Sequence, residues 1–135
     1  MKTLVLGASP NPDRYAYKAV ISLLANGHTV APVGIKKGHI NGLEIINGFP
    51  ELTDIDTVTL YLNAKNQQNW YDYIIGLHPR RIIFNPGAEN IELENIANDN
   101  GIQTINACTL VMLSIGTFES KSIPEPEQNQ NQRER

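Results

Sequence analysis

The chain is poor in sulfur chemistry. One cysteine, Cys108, stands among 135 residues. That excludes an intrachain disulfide and puts a zinc site built from thiolates out of reach. The expected compartment is a reducing cytoplasm. No run approaches the roughly 18 apolar residues of a membrane span, so a membrane is not an expected partner. The opening Met1-Lys2-Thr3-Leu4-Val5-Leu6 is too short for the apolar part of a secretory leader and stops at Gly7-Ala8-Ser9-Pro10. A basic surplus is missing too: 11 Lys and Arg against 14 Asp and Glu leave a net charge of -3. Proteins that coat DNA or RNA need the opposite balance, so nucleic acid is not expected either. A local basic spot for one small phosphorylated ligand is compatible with that balance.

What is present reads as one globular domain. Hydrophobic residues make up 41%, an ordinary share. The length is that of a single domain, placed at residues 1–120. Residues 121–135 hold two prolines, alternating Gln and Asn, and Ile123 as their only large apolar group. Such a segment buries too little surface to offset its ordering entropy, and a disordered polar tail is predicted.

Within the domain, short apolar runs alternate with helix-like stretches. Strands are predicted at 3–6, 29–33, 57–62, 81–84 and 102–105. Helices are predicted at 12–26, capped by Asn11 with Pro12 at the first position, and at 64–77, capped by Asn63. Two more are predicted at 91–100, capped by Asn90, and at 107–118. The alternation implies βαβ units with right-handed crossovers. The expected fold is α/β: a Rossmann-like, doubly wound, parallel five-stranded sheet in a three-layer αβα arrangement, strand order 3-2-1-4-5. Residues 34–56, rich in glycine, replace one helix and suggest a small hairpin at 40–46. Ligands of such sheets bind beyond the carboxyl ends of the strands, where the order reverses. That puts the expected crevice between the first and fourth strands, fed by the loops 7–13, 34–39, 62–64 and 85–89.

The first of these loops reads Gly7-Ala8-Ser9-Pro10-Asn11-Pro12-Asp13-Arg14. Gly7 permits a tight exit from the strand. A helix N-terminus follows, with free N–H groups and a positive dipole end. Ser9 adds a hydroxyl and Arg14 a full charge, a set suited to phosphate. The competing reading is a plain strand-to-helix turn with a surface arginine. A G-x-G-x-x-G fingerprint would need glycine at the positions of Ser9 and Pro12. NAD would also want an acidic residue after the second strand. The chain has Gly34-Ile35-Lys36-Lys37-Gly38 there instead. The lysine pair favours a ligand with an extra ribose phosphate, either NADP or coenzyme A, unless both are merely solvated charges.

These residues resemble the small stand-alone CoA-binding domain family, whose relatives include the nucleotide-binding half of the succinyl-CoA synthetase α subunit. The resemblance spans about residues 1–118. It is carried by Gly7-Ala8-Ser9-x-x-Pro12-x-Arg14-Tyr15, by the run from His28 to Gly34 with Lys36 and Lys37, and by Ile83-Phe84-Asn85-Pro86-Gly87-Ala88. It implies a coenzyme A or acyl-CoA ligand, with Gly7, Ala8, Ser9 and Arg14 at the diphosphate. Lys36 or Lys37 would meet the adenosine 3′-phosphate, and Leu62 and Asn63 would border the nucleotide. Asn85, Pro86 and Gly87 would line the pantetheine path. The chain departs from the family at Asn63, where many relatives have proline, and at Asn106-Ala107, where many have Asp-Arg. The synthetase's acyl chemistry needs a further domain and a partner subunit, so catalysis is not carried over.

The expectation is therefore a non-catalytic CoA-binding protein. An NADP-dependent oxidoreductase and a regulatory or interaction module without ligand are the competing readings. His28 and His78 precede strands and fall at the sheet end opposite the crevice, while His39 lies in the second loop. The three share no metal-ligand spacing. Cys108 is expected to pack, and Ser9 lacks a G-x-S-x-G elbow. Trp70, Tyr71 and Tyr73 are read as sheet packing or a subunit contact, and the protein partner expected is a homodimer or an unknown chain.

Overall fold

The computed structural model describes residues 1–119. The predicted polar tail and the expected domain end at 120 lie outside the described residues. In chain order the elements are β1 (Lys2–Leu6), α1 (Tyr15–Ala25), β2 (Thr29–Val33), a hairpin of β3 (His39–Ile40) and β4 (Leu43–Glu44), and β5 (Thr57–Leu60). Then come α2 (Ala64–Gln67), α3 (Tyr71–Leu77), β6 (Arg81–Phe84), α4 (Ile91–Asp99), β7 (Gln103–Asn106) and α5 (Thr109–Ser114).

Five strands form one parallel sheet, with helices on both faces. Alternation along β1 sorts the layers. Leu4 and Leu6 join Ile74 of α3 and Leu93 and Ala97 of α4 in one core cluster. Val5 turns the other way and joins Ala16, Val20 and Leu23 of α1 with Met112 and Leu113 of α5. Fully buried Leu and Ile side chains contribute about 1.5–3 kcal/mol each relative to exposure. The α/β, three-layer expectation is met.

The strand order differs from the expected 3-2-1-4-5. It runs β2-β1-β5-β6-β7, so the third sheet strand lies beside the first, and the second is an edge. Two features explain this. β5 is buried at every residue, which requires sheet neighbours and helix layers around it. Pro32 sits within β2 and lacks an N–H. Its carbonyl faces outward and accepts from Ile46 N at 2.9 Å, so its missing donor also points away from β1. Ile46 bridges Val33 in parallel and takes the place an outer strand would have held. The hairpin expected at 40–46 is present as β3 and β4.

Helix limits shift as well. α1 starts at Tyr15 rather than residue 12, because the Asn11 carboxamide accepts from Asp13 N at 3.0 Å and closes a local turn instead of capping the helix. The stretch 64–77 is interrupted by a 3-10 turn at Gln68–Trp70. That tighter winding puts Gln67 and Trp70, three residues apart, on one inward face. The last helix is shorter than expected and ends at Ser114, where Thr117 N returns to Met112 O. Asn63 and Asn90 cap their helices as predicted, accepting from Asn66 N at 2.9 Å and Leu93 N at 3.2 Å.

At the N-terminal end of the sheet, Asp56 receives Arg80 Nε at 3.0 Å and Arg80 Nη2 at 3.2 Å. The Thr57 hydroxyl donates to the same carboxylate at 2.7 Å. Partial burial alone would raise the Asp56 pKa, but these donors and the Arg80 charge outweigh it and hold the carboxyl below its ordinary value. The side chains of Arg80 and Asp56 are 26% and 24% exposed, so solvent screens this bridge less than a surface pair. A depressed carboxyl pKa stabilises the fold above the unfolded value, and the contribution fades as pH falls through the folded value. Asp56→Asn should therefore lose about 1–2 kcal/mol at pH 7. Urea unfolding should show the gap to the wild type closing below about pH 4, and a gap constant down to pH 2 would contradict the assignment.

Candidate functional site

The chain turns one way from β1 to β2 and the other way from β5 to β6. The switch point is thus between β1 and β5, not between the first and fourth sheet strands as the expected order implied. The loops that meet there are 7–14 and 61–64, with 34–38 on one flank and 85–89 on the other.

The first loop is held at its root by one carbonyl. Gly7 N and Ala8 N both donate to Val33 O at 2.9 Å. Gly7 adopts φ +102°, and a Cβ there would lie 3.1 Å from the Tyr61 backbone. Gly34 is more constrained: a Cβ would stand 2.1 Å from Ala8 O, well inside van der Waals contact. Glycine at both positions lets the exits of β1, β2 and β5 nearly touch. Beyond Ala8, Ser9 Oγ accepts from Asn11 N at 3.1 Å, which closes a turn and leaves its O–H able to donate. Pro12 lies in that turn, exposed, rather than at the helix start. Arg14 precedes α1 in extended conformation, and no side chain caps the helix. Tyr15 opens the helix, 68% exposed, with Lys18 Nζ 5.4 Å from its ring centroid. Exposed Arg14, Tyr15 and Lys18 thus surround a helix N-terminus that favours anions, with the exposed Asp13 carboxylate in the preceding turn.

The second loop is a closed excursion. Gly34 N donates to Ile46 O at 3.0 Å and Ile45 N to Gly38 O at 2.9 Å. Lys36 and Lys37 lie between these ties, both exposed. Among the described residues the ion pairs join His28 to Glu119 and Arg80 to Asp56. Arg14, Lys36 and Lys37 are in neither, so their charge is available to an anion.

On the far side of the switch point, buried amides do the positioning. Asn85, 2% exposed, donates to Thr59 Oγ1 at 2.6 Å and Leu60 O at 2.9 Å and accepts from Thr109 N at 2.8 Å. Its side chain ties β5, β6 and the start of α5 together and is turned away from the crevice. Pro86 and Gly87 follow it on the surface. Gln67, fully buried, donates to Leu62 O at 2.8 Å and Ala88 O at 2.7 Å and accepts from Asn90 Nδ2 at 2.8 Å. It holds the Leu62–Asn63 loop against the 85–89 loop, with Leu62 half-buried and Asn63 exposed. Sequence reading missed Gln67, whose polar neighbours gave no sign that it points inward.

Tyr61 follows β5 with its hydroxyl buried; burial, with Cys108 nearby, pushes its pKa up to about 12 against the lowering effect of the Thr109 and Thr59 hydroxyls. Cys108 is half-buried at the start of α5. His28 and His78 lie at the opposite end of the sheet. His28 Nε2 is 2.8 Å from Glu119 Oε2 and its ring meets Phe118 edge-on at 5.0 Å. His78 ends α3 in left-handed conformation. His39 is exposed on the hairpin. Trp70 and Tyr73 pack with Phe49 at centroid distances of 4.4 and 5.5 Å, beside a shallow groove of about 580 Å³ that also touches Leu52 and Asp72. That groove belongs to the α3 face and has no residue of the crevice. Among the described residues no group of three or more His, Cys, Asp or Glu could hold a metal ion, and no helix is long and apolar enough to cross a membrane.

A family profile described as a CoA binding domain matches residues 1–114, so the chain belongs to that CoA-binding domain family. No curated protein matches it. A crystal structure described as that of an uncharacterized protein is 56% identical, covers 87% of this chain and 97% of its own, and has a TM-score of 0.85. A hypothetical protein from Pyrococcus horikoshii OT3 shares the fold at TM-score 0.76 and 23% identity, covering 84% of this chain and 81% of its own. A Thermus thermophilus protein does so at TM-score 0.75 and 21% identity, covering 87% and 90%.

Gly34→Ala would force a Cβ against the Ala8 carbonyl and separate the two loops. We expect a loss of about 1–3 kcal/mol in urea unfolding. A wild-type midpoint would show that the loops can part without cost.

Proposed function

We propose that this chain binds coenzyme A or an acyl-CoA and holds it without transforming it. Membership of the CoA-binding domain family supports the ligand class. The observation that carries the finer reading is the shared root of the two loops on the Val33 carbonyl. It sets an uncapped helix N-terminus with Arg14 beside a turn bearing two uncommitted lysines. In this reading the diphosphate lies against the 7–9 backbone and α1, with Gly7, Ala8 and Arg14 in contact and Pro12 and Tyr15 at the rim. The 3′-phosphate meets Lys36 or Lys37 beyond Gly34. Leu62 and Asn63 border the nucleotide, and the pantetheine runs past Pro86 and Gly87. The Asn85 side chain supports that wall from behind.

A holding role fits the polar groups around the crevice. Asn85, Thr109 and Gln67 are occupied with one another and with backbone. His28 and His78 stand at the other end of the sheet. NADPH also carries a ribose phosphate and is the informative control. Isothermal titration should rank CoA species above NADPH and NADH, and Arg14→Ala should weaken CoA by about tenfold by removing a charge-assisted contact. A flat CoA trace beside clear NADPH binding would overturn the proposal.

A further inference from the structure

The basic turn has a support that lies outside every motif above. Asn47 follows the hairpin on the return path of the excursion. Its Nδ2 donates to Gly34 O at 2.7 Å and to Lys36 O at 3.3 Å. The main-chain ties of the excursion act at its margins, at Gly34 and Gly38. Asn47 is the group that reaches the carbonyl of a lysine itself. We propose that Asn47 is the positioning residue of this turn, fixing where Lys36 and Lys37 project and thereby setting preference for a ligand with a 3′-phosphate. The inference rests on the CoA reading, because that phosphate is what the lysines would hold.

Lysine is a point charge on a flexible stem, so its mean position is set largely by its backbone. Residues 35–37 are exposed, with Ile35 at 89%, so little packing holds them. A turn left free in the unbound protein must be ordered when the phosphate arrives, and that cost is taken from affinity. Asn47 removes part of that cost in advance. An amide is required here because both partners are carbonyls and accept only. A carboxylate at the same place would face two carbonyl oxygens and add negative charge beside the phosphate.

The test compares CoA with dephospho-CoA, which has a 3′-hydroxyl in place of the phosphate, by titration calorimetry. The wild type, Asn47→Ala, the isosteric Asn47→Asp, and Asn100→Ala are measured together. Asn100 makes a similar single bond to Ile96 O at 2.8 Å at the end of α4 and serves as the control. Wild type and control should bind CoA about tenfold more tightly than dephospho-CoA. Asn47→Ala should lose about fivefold in CoA affinity and Asn47→Asp more, with dephospho-CoA changed less than about twofold. Unfolding midpoints are followed in parallel. An equal loss for both ligands would mark a merely structural residue and overturn the inference, as would an unchanged ratio in both variants. In those cases the CoA reading stands. If the wild type binds CoA but does not discriminate, the lysine assignment falls and this inference with it. If it does not bind CoA, the whole reading falls.

Discussion

The site depends on one close approach. Gly34 and the carbonyl of Ala8 come so near that no side chain fits between them. The Val33 carbonyl, just before Gly34, accepts both amides that open the first loop. Two loops from neighbouring parallel strands are thus welded at their roots. Loops at strand ends are normally independent and mobile. Here the weld makes the turn before α1 and the lysine turn parts of one rim, so an anion-favouring helix end and a basic turn stand side by side without a direct bond between their charged groups.

The opposite wall is built differently. Buried carboxamides replace glycine contacts there, with Asn85 bonding into β5 and α5 and Gln67 bonding the loops after β5 and β6. Each amide is nearly saturated, which is what burial demands of it. Saturation also removes these groups from chemistry. Among the described residues Arg14, Lys36 and Lys37 of the first rim are in no ion pair, and in the proposed reading this charged rim faces a saturated wall and retains a long, phosphorylated molecule. A similar economy operates at the far end of the sheet. Arg81, 1% exposed, donates to Thr57 Oγ1 at 2.8 Å and to Phe118 O at 2.6 Å and stacks on the Phe118 ring. Burial brings its pKa down to about 10. These groups secure the chain around Phe118, remote from the crevice.

Much of this was legible in the residues. The five apolar runs became five parallel strands, Asn63 and Asn90 capped helices, and the loops after the strands lie at one end of the sheet, although they meet between β1 and β5 rather than between the first and fourth strands. Strand order was misread although Pro32 carried the information: a proline without a donor belongs at a sheet edge. The start of α1 was misread because Asn11 and Pro12 fit both a cap and a turn, and Ser9 and Asp13 decided for the turn. Asn85 was read as a lining residue, since nothing in Phe84-Asn85-Pro86 tells that the carboxamide bends back under Thr59. Gln67 and Asn47 were invisible because their partners are main-chain carbonyls 5 to 21 and 11 to 13 residues away. Such bonds leave no pattern in a single sequence.

A crystal structure of the chain grown with saturating CoA addresses the central claim most directly. The account predicts the diphosphate against the 7–9 loop and the N-terminus of α1, and the 3′-phosphate within hydrogen-bond reach of Lys36 or Lys37. A nucleotide lodged in the groove beside Phe49 and Tyr73, or a crevice left empty at saturation, would contradict it.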